Sequence, residues 1–204
     1  MIVVCLDLEG VLVPEIWVEV ARRTGVEALT RTTRDEPDYD KLMRYRLDIL
    51  GREKLRLADI EAVIADMGPL AGAAEFLDGL RQRHQVVILS DTFYEFARPL
   101  MRALAWPTLF CHRLEIGADG FVANYRLRMP DQKRSAVEAF RALNFSVVAA
   151  GDSYNDTSML GAANAGIFFR PPPSIASQFP AFRVTQSYAE LGAAIEAAAT
   201  GLPA

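Results

Sequence analysis

Two cysteines, two histidines and three lysines are all that this chain of 204 residues holds of those types, and each scarcity narrows what it can be. Cys5 and Cys111 are too few for a disulfide framework. Cys5 lies inside an apolar run, where a thiol reads as a small buried hydrophobe. His84 and His112 lack metal-ligand spacing and border apolar runs, so both read as structural. No stretch approaches the roughly 20 apolar residues of a transmembrane helix. The apolar opening, residues 1–6, has no basic lead-in and is cut by Asp7, so no targeting segment is expected and the cytoplasm is the default location. Positive charge is not in excess either: 22 Lys and Arg against 26 Asp and Glu give a net charge of −4 and a pI near 5.3. That balance argues against nucleic acid or an anionic membrane as the main partner. It favours a small-molecule substrate or a protein partner, and it leaves a homodimer open. Neither G-x-G-x-x-G after a strand nor G-x-x-x-x-G-K-[ST] occurs, so a nucleotide site lacks support. Trp17 and Trp106 read as core or cap packing, not as a stacking platform.

What is present is an α/β rhythm. The composition, 51% hydrophobic and 24% charged, suits one good-sized domain or a core with a modest insertion. Short apolar runs at 2–6, 86–89, 147–150 and 165–169 read as strands buried on both faces. Helical patterns at about 71–84, 93–105, 131–144, 155–163 and 188–199 separate them, which implies right-handed crossovers and a mostly parallel sheet. Two segments break the rhythm. After the first strand, helix-like stretches at about 15–24, 38–50 and 57–67 precede any second strand and read as a small helical cap. Residues 114–127, with Asp119-Gly120 between alternating segments, predict a β-hairpin added to the sheet.

Chemistry gathers where the strands stop. The first ends in Asp7-Leu8-Glu9-Gly10, the second in Ser90-Asp91-Thr92, and the third in Gly151-Asp152-Ser153-Tyr154-Asn155-Asp156. Ligands bind outside the carboxyl ends of parallel strands, so Asp7, Ser90, Asp91, Asp152 and Asp156 are expected to converge. Carboxylates gathered without basic cover repel one another unless a cation sits among them, and a hard, oxygen-ligated ion, Mg²⁺ above all, answers that need. Each strand-terminal Asp alone reads as well as a cap or turn residue; three in chain order do not.

Asp-x-Glu-Gly after the first strand, Ser after the second, a lone Lys, then Gly-Asp-Ser-x-Asn-Asp resemble the four motifs of the haloacid dehalogenase superfamily. Within it the chain looks most like the phosphoserine phosphatases, and more closely like the bifunctional bacterial phosphoserine phosphatase/homoserine phosphotransferase type. The likeness rests on Leu6 to Glu15 and Leu89 to Phe96 and extends over essentially the whole chain. It implies a Rossmann-like, doubly wound core (1–13 and 73–204) with a helical cap (14–72). It implies Asp7 as the nucleophile and Glu9 as general acid, then base. Mg²⁺ would be held by Asp7, the main-chain carbonyl of Glu9 and Asp152, with Asp156 acting through water or Lys133. Ser90, Lys133 and Asn155 would contact the substrate. Two departures from the common phosphatase pattern, Glu9 where most relatives have Asp and Asp91-Thr92 where they have Gly-Gly, match the bifunctional type. Asp91 could meet a substrate amine or hydroxyl, so that homoserine could compete with water for the phosphoryl group.

Lys133 and the cap bear on the substrate. A cation at the start of a helix opposes the dipole unless an anion is near, and a phosphoryl group would supply one, about 4 kcal/mol for unit charges about 4 Å apart at an effective dielectric of about 20. Arg46 falls inside the apolar stripe of helix 38–50, either snorkelling from its rim or gripping a substrate carboxylate. Glu15 is either a dipole-favoured first-turn acid or the partner of a substrate ammonium. In the resembling phosphatases a Glu and an Arg in matching positions bind the amino and carboxylate groups. Competing expectations are a phosphatase for another small metabolite, a phospho-accepting signalling receiver, and a binding module that has lost catalysis.

Overall fold

The computed structural model describes residues 1–32, 35–36 and 38–202. The apolar opening forms β1 (Ile2–Leu6), followed by α1 (Ile16–Thr24), a 3-10 turn (Glu27–Thr30), α2 (Tyr39–Arg52) and α3 (Leu57–Ala65). The chain returns through α4 (Ala73–Arg81) to β2 (Gln85–Phe93), α5 (Tyr94–Ala103), β3 (Thr108–Ile116) and β4 (Val122–Arg126). It closes with α6 (Gln132–Ala142), β5 (Ser146–Gly151), α7 (Thr157–Ala162), β6 (Ala165–Phe169), α8 (Pro173–Gln178), β7 (Arg183–Thr185) and α9 (Tyr188–Gly201).

The seven strands lie in the order β4-β3-β2-β1-β5-β6-β7, all parallel except the β3–β4 pair. β1 is central because it is the most apolar, and it pairs with β2 on one side and β5 on the other. Its side chains alternate between two cores: Val4 and Leu6 join the larger, with α4, α5 and α9, while Val3 and Cys5 join the smaller, with α6 and α7. Helices on both faces make the doubly wound α/β fold expected from the sequence. The larger core continues under the inserted helices through Ile16, Val20, Leu50 and Ile60, all nearly or fully buried, so those helices rest on the same apolar mass as the sheet.

The structure corrects several boundaries. The expected hairpin is β3–β4 at one edge of the sheet, but its first strand begins earlier, at Thr108, and first runs parallel to β2. β2 extends to Phe93 instead of stopping at Leu89. Leu89 faces Phe110 and Phe93 faces His112, so Ser90, Asp91 and Thr92 bulge from the ladder. α8 and β7 were not foreseen: the run Arg170-Pro171-Pro172-Pro173 reads as a stop, yet Pro173 opens a helix, where a missing N–H costs nothing. Trp106 is not packed. It adopts φ +52° and is 60% exposed, whereas Trp17 is buried edge-on to Phe96 at 5.3 Å. No helix among the described residues is long and apolar enough to cross a membrane.

Candidate active site

The floor of the site is built where β1, β2 and β5 stop. The Asp7 N–H still donates to the Ala150 carbonyl at 2.9 Å, which locks position 7 to β5. A tight turn follows, closed by Gly10 N–H to the Val13 carbonyl at 2.8 Å with Gly10 at φ +75°. A Cβ at Gly10 would lie 2.4 Å from Asp152 Oδ2, so both the backbone and the adjacent carboxylate demand glycine there. The Asp7, Asp152 and Asp156 side chains each offer an oxygen within 4.8 Å of the others.

Lys133, in the first turn of α6, occupies the middle of this cluster. Its Nζ lies 2.8 Å from Asp156 Oδ1, 2.9 Å from Asp7 Oδ1 and 3.7 Å from Asp91 Oδ2. One buried ammonium therefore stands among the carboxylates, in contact with Asp156 as the resemblance implies. Asp156 is fully buried, and its Oδ2 accepts from the N–H groups of Asp152 (3.0 Å) and Ser153 (3.1 Å). Both of its oxygens are thus engaged, and it sits behind the cleft.

Crowding decides the protonation. Burial, then the negative charges of Asp156 and Asp152, hold the Asp7 carboxyl well above the usual range, against the pull of Lys133. Burial and the nearby Asp156 and Glu15 push Asp152 to about 7. Burial would lower Lys133, but Asp156, Asp7 and Asp91 outweigh it and keep the ammonium charged. Burial, reinforced by Glu15, lifts Glu9 to about 8. Burial would also raise Asp91, yet Lys133, His112 and Asn155 hold it below the usual carboxylate range.

The facing wall comes from the inserted helices. Glu9 Oε2 accepts the N–H of Ile16 at 2.8 Å, serving as the cap of α1 that Glu15, with no side-chain cap bond, does not provide. Glu15 is exposed at the cleft. Arg46 is 6% exposed; its Nη2 donates to the Arg31 carbonyl at 2.8 Å and its guanidinium lies 4.6 Å over the Trp17 ring. Its Nε is buried without a hydrogen-bond partner, and burial depresses the group to about 10. The snorkelling alternative is excluded, since the guanidinium does not reach water at the rim.

A cleft of about 250 Å³ joins floor and wall. Asp7, Glu9, Glu15, Arg46, Ser90, Asp91, Lys133, Asp152 and Asn155 all line it; of the residues expected at the site only Asp156 does not. Asn155 Nδ2 donates to Asp91 Oδ2 at 3.3 Å. Four neighbours escaped sequence reasoning: Trp17, Tyr39, His112 and Gln132. Tyr39 donates its hydroxyl to the Asp91 carbonyl at 3.0 Å. Gln132 Nε2 donates to the Ser90 carbonyl and, at 3.3 Å, to Asp91 Oδ1. The adjacency of Gln132 to Lys133 was the one available signal.

A doubly wound sheet with an acidic cluster and a buried lysine at its carboxyl end is the arrangement of a phosphoryl-transfer hydrolase, and residues 2–164 match the haloacid dehalogenase-like hydrolases. The chain belongs to that family. It is 57% identical to phosphoserine phosphatase ThrH of Pseudomonas aeruginosa over 191 residues, 94% of this chain and 93% of that protein. It is also 57% identical to a phosphoserine phosphatase of Pseudomonas syringae pv. tomato, covering 93% of this chain and 80% of the relative. A substrate-bound phosphoserine phosphatase complex shares the fold, with a TM-score of 0.77 at 20% identity over 95% of this chain and 96% of that one.

Proposed function

We propose that this chain is a Mg²⁺-dependent phosphatase that hydrolyses O-phospho-L-serine through an aspartyl-phosphate on Asp7. The observation that carries the reading is that one cleft holds both the Asp7–Lys133 pair and, on the opposite wall, Arg46 and Glu15. The first pair suits a phosphoryl group. Arg46, with a buried Nε lacking a partner, suits a carboxylate, and exposed Glu15 suits an ammonium; together they describe a phosphorylated amino acid. The names of the Pseudomonas relatives agree.

The oxygens of Asp7 and Asp152, beside the main chain of Glu9, fit Mg²⁺, with Asp156 steadying Lys133. Bound there, Mg²⁺ would neutralise carboxylate and phosphoryl charge. In the first half-reaction a carboxylate oxygen of Asp7 forms a bond to phosphorus as the bond to the serine oxygen breaks. Glu9, protonated near neutrality by its raised pKa of about 8, gives its proton to that oxygen. In the second, the Glu9 carboxylate takes a proton from water as the water oxygen bonds to phosphorus, and Asp7 leaves as carboxylate. Ser90 and Lys133 hold phosphoryl oxygens throughout, and Asn155 orients Asp91 beside them. Asp91 supports a second outcome, transfer to an alcohol such as homoserine, because a carboxylate held at the cleft can position an acceptor's hydroxyl or ammonium. The residues 14–72 act as the specificity cap on a core of 1–13 and 73–204, and the protein works in the cytoplasm.

The test is phosphate release from phosphoserine, phosphothreonine, phosphohomoserine and simple sugar phosphates, with and without Mg²⁺ and homoserine. Preference for phosphoserine that vanishes with chelator is expected. Equal rates on sugar phosphates would favour the broader metabolite phosphatase.

A further inference from the structure

We propose that His112 is a positioning residue that acts through Asp91, keeping that carboxylate from collapsing onto Lys133; the inference rests on the phosphoryl-transfer reading of the same site. His112 is buried, on β3, opposite the bulge in β2 that carries Asp91. Its Nδ1 accepts the backbone N–H of Arg128 at 3.1 Å, so the proton of the neutral ring resides on Nε2. Nε2 lies 3.6 Å from Asp91 Oδ1, so the protonated ring nitrogen stands beside the carboxylate in a contact looser than a closed hydrogen bond. The rings of Tyr39 and Phe93, each 6.3 Å away, fix the imidazole plane. Gln132 makes the matching contact. Its Oε1 accepts from Arg128 Nε at 3.0 Å, which turns its Nε2 toward the Ser90 carbonyl and the same Asp91 oxygen. Arg128 thus orients both donors.

The other oxygen of Asp91 is 3.7 Å from the Lys133 ammonium, which already pairs with Asp7 and Asp156 at less than 3 Å. A third close carboxylate would draw the ammonium off Asp7 and dilute the positive charge facing the phosphoryl group. His112 prevents this by holding Oδ1 on the far side. A plain packing residue would need no donor at Nε2, and that difference is measurable.

The experiment is kcat/KM for phosphoserine in His112→Phe, His112→Gln and His112→Asn, with His112→Phe repeated in an Asp91→Asn background. A Gln amide nitrogen reaches roughly where Nε2 stands, while that of Asn stops near Nδ1. The expected result is a loss of about tenfold for Phe and Asn and about twofold or less for Gln, with Phe costing about twofold or less once Asp91 is Asn. Equal losses for Gln and Asn, or the same loss for Phe in both backgrounds, would overturn the proposal. Should the Phe variant not fold, the comparison of Gln with Asn decides alone. Wild-type protein inert toward phosphoserine would instead sink the underlying phosphatase reading.

Discussion

The floor and the wall of the cleft treat charge in opposite ways. On the floor, most charges are already answered: Lys133 touches Asp7 and Asp156, Asp156 also caps two backbone N–H groups, and Asp91 is held by Asn155 and Gln132, while Asp152 still faces the like charges of Asp156 and Glu15. On the wall, Arg46 keeps a buried Nε without a partner, and Glu15 makes no ion pair among the described residues. Satisfied groups are fixed before substrate arrives, which is what charge development in a transition state requires. Unsatisfied groups gain a partner only when a ligand enters, which is what discrimination requires, because an analogue lacking that partner leaves them unpaired. The floor should therefore govern rate and the wall identity.

Substitutions on the two sides can break that division. Asp7→Asn removes the nucleophile and is expected to lower kcat by at least about 10⁴-fold, measured by phosphate release. Glu9→Gln should cost about 10²–10⁴-fold on phosphoserine but far less on an aryl phosphate, whose leaving group needs no proton. An equal loss on both esters would show that Glu9 is not the acid. Arg46→Ala should raise KM for phosphoserine by about 10²-fold while leaving an ester without a carboxylate nearly unaffected. If both substrates suffer alike, the wall does not recognise the amino acid.

The smallest effect is thermodynamic. Asp152 titrates near 7 in the fold against an ordinary value near 3.8, so between those limits the folded chain binds a proton that the unfolded chain has lost. Without metal, stability from this group falls as pH rises through that window. A cation favours the ionised carboxylates, so Mg²⁺ should raise Tm by a few degrees at pH 8 and by little at pH 5. A gain independent of pH would remove Asp152 from the ligand set.

Much of the site was legible because its chemistry sits at strand ends, where an apolar run followed by Asp-x-Glu-Gly or Gly-Asp-Ser announces both the strand and its outlet. Lys133 was legible through its resemblance to the third motif, since a cation placed against a helix dipole in a chain that uses Arg almost everywhere else reads as well as a solvated surface lysine. Arg46 was visible as a charge in an apolar stripe, although its burial, which sets the snorkelling alternative aside, was not. What stayed hidden depends on pairing across the fold. The bulge at Ser90-Asp91-Thr92 exists only relative to β3, whose first half, Thr108-Leu109-Phe110, is too short to be told from a loop. His112 looked structural because nothing near it in sequence reveals that Asp91 lies against its ring. Trp106 is exposed at a left-handed backbone position, φ +52°, that its local sequence does not announce.

The most direct test is to quench the protein in acid during turnover of phosphoserine with Mg²⁺, reduce acyl phosphates with borohydride and locate the product by mass spectrometry. Conversion of the side chain at position 7 to the corresponding alcohol is expected. Steady turnover with position 7 unmodified, or modification at another residue, would contradict a phosphoryl group carried by Asp7.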